Sequence, residues 1–383
     1  MSCLVLGLAG CVTAPPEAPP QAPAPLPVPP KKATPAPAPK PEPLPAPLPK
    51  PAIKPPPPPA LQVKPPVTNQ VTNIVRPAMT INAPPPQVSR PVLTWTSLNH
   101  WAEQHEVGAP HRLGVKPLVS YAIGSARGVL ILEIGSRDAT WNGTLVHLGF
   151  APEMIDDQVF VHQLDLEKNL APLLCDAPGI PENNRVIVLD PGHGGAQVGT
   201  VSLLDGRTEK QFTLDWARRL ANLLEARGWQ VILTRTNDTE IEVTNRVNFA
   251  NAHHPALFIS LHFNSAAPDH KQAGLETYCL TPTGMPSFIT RGYPDLTYLN
   301  FPANEYDRES FLLAMRLQRS IVRATGEEDR GVRRARFLGI LRGQHCPCVL
   351  IEGGYLSNLH DAQEIENPDF RQKLAAAVAA VLN

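Results

Sequence analysis

The distribution of proline sets the first limit on what this chain can fold into. Of its 45 prolines, 30 lie between residues 15 and 91, in runs such as 55–59 and in repeated Ala-Pro and Lys-Pro steps. Proline fixes φ and lacks a backbone N–H, so helix interiors and central strands exclude it. With almost no aromatic residue to form a core, residues 12–91 are predicted to be a disordered, Pro-rich linker. Folded structure is expected to start near residue 92.

Length and charge then restrict the functional classes. The 383 residues leave room for two folded domains after the linker. The formal net charge is -1, so no basic field favours nucleic acid as a partner.

Residues 92–182 are predicted to form a small α+β accessory domain. Helices are expected near 97–106 and 164–174, and apolar, strand-forming runs lie at 117–123, 128–134, 143–148 and 159–164. The glycine-containing turn at 124–128 indicates a hairpin. The histidines of this region lack metal-ligand spacing and are interpreted as ordinary core or surface residues: His100, His105, His111, His147 and His162.

From residue 183 the pattern changes to alternating strands and helices. Strands are predicted at 185–189, 229–233, 256–261, 275–280, 337–341 and 348–351, and helices at 209–227, 242–252, 308–325 and 369–382. This alternation is typical of an α/β fold with a twisted, mainly parallel six-stranded sheet flanked by helices. Residues 183–383 are therefore predicted to be a second domain.

Four motifs in this second region suggest a chemistry. They are Asp-Pro-Gly-His-Gly-Gly with His193, Thr-Glu-Lys with Glu209, Ser-Leu-His-Phe-Asn with His262, and Leu-Ile-Glu-Gly with Glu352. Three of these residues, His193, His262 and Glu352, lie at or just beyond the carboxyl ends of predicted strands, where open α/β sheets bind ligands. Two imidazoles and a carboxylate can hold Zn²⁺, and a further carboxylate can then transfer protons.

Each motif has a simpler interpretation when taken alone. The glycines around His193 could cradle phosphate, but no Lys-Ser/Thr follows them as a P-loop requires. Glu209 could be an ordinary carboxylate at a helix N-terminus, and His262 could be a core histidine. Glu352 ends an almost uncharged strand, where a carboxylate costs free energy unless it is paired or functional. Convergence of the four motifs favours the metal site.

Region 185–382 resembles the zinc-dependent N-acetylmuramoyl-L-alanine amidases. The resemblance is carried, in order, by LDPGHGG, the Glu-Lys that opens a long helix, LTRTND with the later Arg246, ISLHFN, GLETYCL, a turn at 329–332 and PCVLIEGGYLSN. It implies that His193, Glu209 and His262 bind Zn²⁺, that Glu352 is catalytic, and that the substrate is the lactyl–L-alanine amide of peptidoglycan. It leaves open whether a protein activator is needed.

Two other functions remain as alternatives to the amidase. One is a non-catalytic peptidoglycan-binding or regulatory protein that retains the fold, although such a protein would be expected to have lost a ligand or the catalytic Glu. The other is a zinc peptidase that cuts within the stem peptide.

The sequence departs from the pattern of this amidase family in two places. Gln197 stands where the family often has Asp. The segment 281–307 is longer than in minimal members and in some relatives forms an autoinhibitory helix, but its prolines at 282, 286, 294 and 302 disfavour a long helix. A lid, a sugar-stacking surface and a packed surface loop all remain open for this segment.

The N-terminus and the middle region carry two further resemblances. Residues 1–11, MSCLVLGLAGC, resemble a bacterial lipoprotein signal in which Cys11 is lipidated, although no Lys or Arg precedes the apolar run. Val12, rather than Asp, follows this cysteine, which resembles the sorting pattern of outer-membrane lipoproteins in Gram-negative bacteria. The resemblance predicts anchoring on the periplasmic side of the outer membrane. The strand pattern around 141–143 and 161–174 resembles the copper amine oxidase N-terminal-like modules.

Overall fold

The computed structural model describes residues 95–114, 119–175 and 184–382. The predicted signal with Cys11 and the predicted linker 12–91 lie outside the described residues. The described residues fall within one unit, Pro84–Asn383. Within them, no helix is both long enough and apolar enough to cross a membrane.

The first described part, up to residue 175, is made mainly of short antiparallel strands. Its strands are β1 (Trp95–Ser97), β2 (His111–Leu113), β3 (Ser120–Ser125), β4 (Gly128–Glu133), β5 (Asp138–Trp141), β6 (Thr144–His147), β7 (Glu153–Ile155) and β8 (Gln158–His162). Its helices are α1 (Leu98–Gln104), α2 (Gln163–Asp165), a π-helical turn (Leu166–Leu170) and α3 (Ala171–Leu174). The β3–β4 hairpin pairs Ser125 with Gly128, as the turn at 124–128 predicted.

The second part alternates strands with longer helices. Its strands are β9 (Val186–Pro191), β10 (Gln230–Leu233), β11 (Leu257–Asn264), β12 (Leu275–Cys279), β13 (Asp329–Arg334) and β14 (Cys348–Tyr355). Its helices are α4 (Glu209–Glu225), α5 (Val243–Ala252), a 3₁₀ turn (Pro302–Tyr306), α6 (Asp307–Thr325), α7 (Gly339–Arg342), α8 (Leu359–Glu366) and α9 (Pro368–Val381).

The strands of the second part are ordered β10-β9-β11-β14-β12-β13. Neighbours pair in parallel except β12 and β14, which are antiparallel. The predicted α/β class with a six-stranded, mainly parallel sheet is therefore confirmed. The sheet continues past β13 through a parallel pairing of Val332 with Val146 on β6. Both predicted domains thus contribute to one sheet, and their division near residue 182 stays a prediction.

Alternating residues of the parallel strands pack against two helical layers. On β9, Ile187 and Leu189 belong to the core that includes α4, α6 and α9, whereas Val188 belongs to the core that includes α5 and α7. Strands buried on both faces explain the continuous apolar runs in the sequence.

One strand was placed wrongly from the sequence. The run 337–341 was predicted as a strand, but it leads into α7, and the strand is β13, where a turn at 329–332 was expected. A five-residue apolar run cannot distinguish a strand from a helical turn by periodicity. The charged sequence of β13 is accommodated because its arginines have partners far away in the chain: Arg333 contacts Glu276, and Arg334 contacts Asn169.

Candidate metal centre

The sheet brings the candidate residues to the carboxyl edge of its central strands. On β11 and β14, His262 and Glu352 are direct neighbours in the parallel register. Glu276 of β12 is the antiparallel neighbour of Glu352. All three side chains therefore project from the same face of the sheet. The loop after β9 carries His193 to this edge and is tied to β11 by a hydrogen bond from the Gly192 N–H to the Leu261 carbonyl oxygen.

Glu209 contacts both imidazoles. Its Oε1 lies 2.8 Å from His262 Nδ1, and its Oε2 lies 3.1 Å from His193 Nε2. The backbone N–H groups of Phe263 and Thr200 each donate to one of the two carboxylate oxygens, at 3.1 and 2.9 Å. Burial would raise the pKa of Glu209, but hydrogen bonds and charge from the two imidazoles outweigh it and hold that pKa well below its ordinary value.

Glycine is required next to His262. A Cβ on Gly192 would lie 2.2 Å from His262 Cε1. The His193 backbone has φ 62°, a left-handed conformation that costs a non-glycine residue on the order of 1 kcal/mol. The tight turn thus brings the two imidazoles together, with ring centroids 5.0 Å apart.

Because this contact involves rigid ring atoms, we expect Gly192→Ala to destabilise the metal-free protein by about 1–3 kcal/mol through overpacking. Gly124→Ala is the matched control, since its Cβ would meet atoms no closer than 3.8 Å. Urea unfolding of both variants measures the difference. Equal unfolding free energies would contradict the close packing of Gly192 on His262.

Two buried arginines hold the loop in place. Arg246 donates to Asp190 Oδ1 at 2.7 Å and to the His193 carbonyl oxygen at 2.6 Å. Arg235 donates to the carbonyl oxygens of Pro191 and Gly192, each at 2.9 Å. The loop carbonyls therefore have charged donors, which fix the position of His193.

Comparison with known proteins identifies the family. A model described as N-acetylmuramoyl-L-alanine amidase matches residues 187–383, just over half of the chain. The chain belongs to the N-acetylmuramoyl-L-alanine amidase family.

Relatives named as N-acetylmuramoyl-L-alanine amidases match about half of the chain. The amidase CwlM of Bacillus licheniformis is 31% identical over 191 residues, which cover 49% of this chain and 64% of CwlM. The amidase LytC of Bacillus subtilis is 32% identical over 201 residues, covering 52% of this chain and 35% of LytC. The chain thus spans less than two thirds of either relative. A solved amidase from Clostridium difficile 630 is 29% identical, with a TM-score of 0.44, and the match covers 52% of this chain and 96% of that one.

In this protein, Glu352 is a buried carboxyl group beside the two imidazoles. The residue is 7% exposed, and its Oε2 has no hydrogen-bond partner among the described residues. Burial raises the pKa of Glu352 to about 8; His262 and Arg291 oppose the shift, whereas Glu209 and Glu276 add to it. A carboxyl group that titrates near neutral pH is suited to both accepting and donating a proton.

The raised pKa has a consequence for the stability of the metal-free protein. Between pH 4.5 and about 8, the unfolded chain ionises Glu352 while the folded protein keeps it protonated. Stability is therefore lost as pH rises through this window, by about 1.4 kcal/mol per unit. The variant Glu352→Gln cannot ionise, so we expect it to exceed the wild type in unfolding free energy at pH 8 by on the order of 4 kcal/mol.

At pH 4.5 this advantage should have disappeared. Urea unfolding of the two metal-free proteins across the window measures it. A constant difference between their unfolding free energies at all pH values would contradict the raised pKa.

A polar network beside the site was not predicted from the sequence. Glu276 Oε1 accepts from Tyr278 and Tyr355 at 2.9 and 3.1 Å, and its Oε2 lies 3.0 and 3.3 Å from nitrogens of Arg333 and Arg330. The only feature of the sequence that could have indicated this network is the charged residue Glu276 within the apolar motif GLETYCL.

Gln197, which differs from the family pattern, donates from its side chain to Glu240 Oε1 at 3.2 Å.

Proposed function

We propose that this protein hydrolyses the amide bond between the lactyl group of N-acetylmuramic acid and L-alanine in peptidoglycan, as part of cell-wall remodelling or daughter-cell separation. The observation that carries the proposal is the cluster of His193, Glu209 and His262 next to the unpaired carboxyl oxygen of Glu352. Membership of the amidase family supports the choice of bond.

The donor set fits zinc. One ligand atom from each of the three residues lies within 4.8 Å of the others. A tetrahedral zinc with bonds of about 2.0–2.2 Å separates its ligand atoms by roughly 3.3–3.6 Å. The Glu209 carboxylate already lies between the two imidazoles, with Oε1 2.8 Å from His262 Nδ1 and Oε2 3.1 Å from His193 Nε2. We accordingly assign His193, Glu209 and His262 as the residues that would hold Zn²⁺.

The chain's own groups define the remaining chemistry. Bound in this site, Zn²⁺ would polarise the scissile carbonyl and acidify water. Glu352 accepts the proton of the attacking water on its unpaired oxygen and returns it to the nitrogen of the departing L-alanine. Phe263 and Thr200 keep Glu209 oriented through their backbone N–H groups, so the site does not have to rearrange during the reaction.

Digestion of purified peptidoglycan tests the function. The full chain should release stem peptides that begin with a free L-alanine amine, and a chelator should stop the release. Fragments cut within the stem would instead indicate a peptidase. Binding to peptidoglycan without any release would indicate the non-catalytic alternative.

The cellular location is proposed from the sequence. A lipid on Cys11, followed by an extended linker over 12–91, would hold the enzyme on the periplasmic side of the outer membrane within reach of peptidoglycan. Incorporation of labelled palmitate that is lost in Cys11→Ser tests the anchor.

A further inference from the structure

The longer segment 281–307 places a cation in the wall of the candidate active site. The cavity beside the metal centre is lined by His193, Glu209, His262, Glu352 and Arg291. Arg291 is supplied by the segment 281–307. Its side chain therefore brings a positive charge to a site whose other named residues come from the sheet edge, the loop after β9 and the start of α4.

This guanidinium is held by neutral groups. Its Nη2 donates to Asn264 Oδ1 at 3.2 Å, and its Cζ lies 5.4 Å from the centroid of the Phe337 ring. The other arginine that lines the adjoining cavity, Arg246, is paired with Asp190. Among the residues that the structure describes, no carboxylate lies within 4.0 Å of the Arg291 nitrogens. Glu352 and Glu276 act on Arg291 from beyond ion-pair distance. Arg291 is thus a cation in the cavity wall that makes no direct ion pair among the described residues.

The segment that carries Arg291 is anchored on both sides. Met285 is fully buried, and a Cβ on Gly149 of the first described part would lie 2.5 Å from Met285 Cγ. The Phe288 ring stacks on His147, with centroids 3.7 Å apart. Asp295 accepts from the Ser287 N–H at 2.7 Å and is paired with Arg336. The first part of the fold therefore helps to position a residue of the active site.

Arg291 itself has a left-handed backbone, with φ 49°. Such a conformation costs a non-glycine residue on the order of 1 kcal/mol and persists where the surroundings fix it. A guanidinium that is held by Asn264 and Tyr278 and lines the cavity is suited to an anion that can accept two parallel hydrogen bonds, above all a carboxylate.

The chemistry of the proposed substrate places that carboxylate on the peptide. The lactyl carboxyl of muramic acid is consumed in the scissile amide, so the carboxylates that remain near this bond belong to the stem. We propose, resting on the proposed function, that Arg291 binds a free carboxylate of the stem peptide close to its L-alanine. The enzyme then discriminates stems with this carboxylate from stems in which it is a carboxamide.

Direct binding to the zinc-loaded full chain tests the proposal without requiring hydrolysis. The probes are two peptides that begin with L-alanine and differ in one group, a free α-carboxylate or a carboxamide on the second residue. We expect titration calorimetry to show about 10- to 100-fold tighter binding of the acid, the range of a charge-assisted hydrogen bond at a shielded site. The ratio should fall to near one in Arg291→Gln and remain partly in Arg291→Lys.

The matched control is Arg319→Gln, on the exposed face of α6, which should keep the wild-type ratio. Two results would overturn the inference: equal affinity of the wild type for both peptides, or an equal loss of affinity for both peptides in Arg291→Gln. Either result would indicate that Arg291 has only a structural role. Hydrolysis of the same two peptides joined to muramic acid is a separate readout. If the wild type cleaves neither, the proposed function is overturned, whatever the binding ratio.

Discussion

Replacing Glu352 with Gln is expected to lower kcat for peptidoglycan hydrolysis by about 10²- to 10⁴-fold, the usual contribution of a general acid–base group. The amide keeps the size of the side chain but cannot take a proton from water. Because Glu352 is not one of the three clustered ligands, the zinc content of the variant should equal that of the wild type. Release of stem peptides and elemental analysis measure the two properties on one sample.

Glu225→Gln is the control for this substitution, since Glu225 is exposed at the end of α4. It should leave both kcat and zinc content unchanged. An active Glu352→Gln variant would remove Glu352 from the reaction, and a zinc-free one would show that it holds the metal instead.

The second large effect is expected on metal binding. Glu209→Gln removes the negative charge between the two imidazoles and offers an amide that binds zinc poorly. The Thr200 and Phe263 N–H groups each donate to a Glu209 oxygen. In Glu209→Gln, one of these donors would therefore face the donor NH₂ group of the new side chain. We expect zinc affinity to fall by at least about 100-fold, because loss of a supporting contact alone costs 10- to 100-fold.

Competition with a chromophoric chelator measures this affinity without reference to activity. His360→Ala is the control, because His360, Glu327 and Asp361 form another group of closely spaced donors. Its zinc affinity should match that of the wild type. A loss in His360→Ala together with retention in Glu209→Gln would move the metal to that other group.

The sequence predicted those parts of the structure that follow from local periodicity. Buried parallel strands appear as apolar runs, and α4 and α6 appear as amphipathic patterns, so the α/β class and most elements could be predicted. The convergence of His193, His262 and Glu352 could be anticipated because the ends of neighbouring parallel strands share one edge of the sheet.

The remaining features depend on contacts between distant residues. The charged strand β13 is stable only because Glu276 and Asn169 accept from its arginines. The sharing of one sheet by both parts rests on the pairing of Val146 with Val332. Nothing in the sequence around Arg291 shows that its guanidinium reaches the active site, since this depends on the packing of the whole segment 281–307.

Anomalous X-ray scattering at the zinc edge, from crystals of the zinc-loaded protein, tests the metal site most directly. We predict a peak within about 2.0–2.2 Å of His193 Nε2, His262 Nδ1 and a Glu209 oxygen, with Glu352 beside the metal but not bound to it. A peak at Glu327, His360 and Asp361 alone, or direct coordination by Glu352 in place of Glu209, would contradict this prediction.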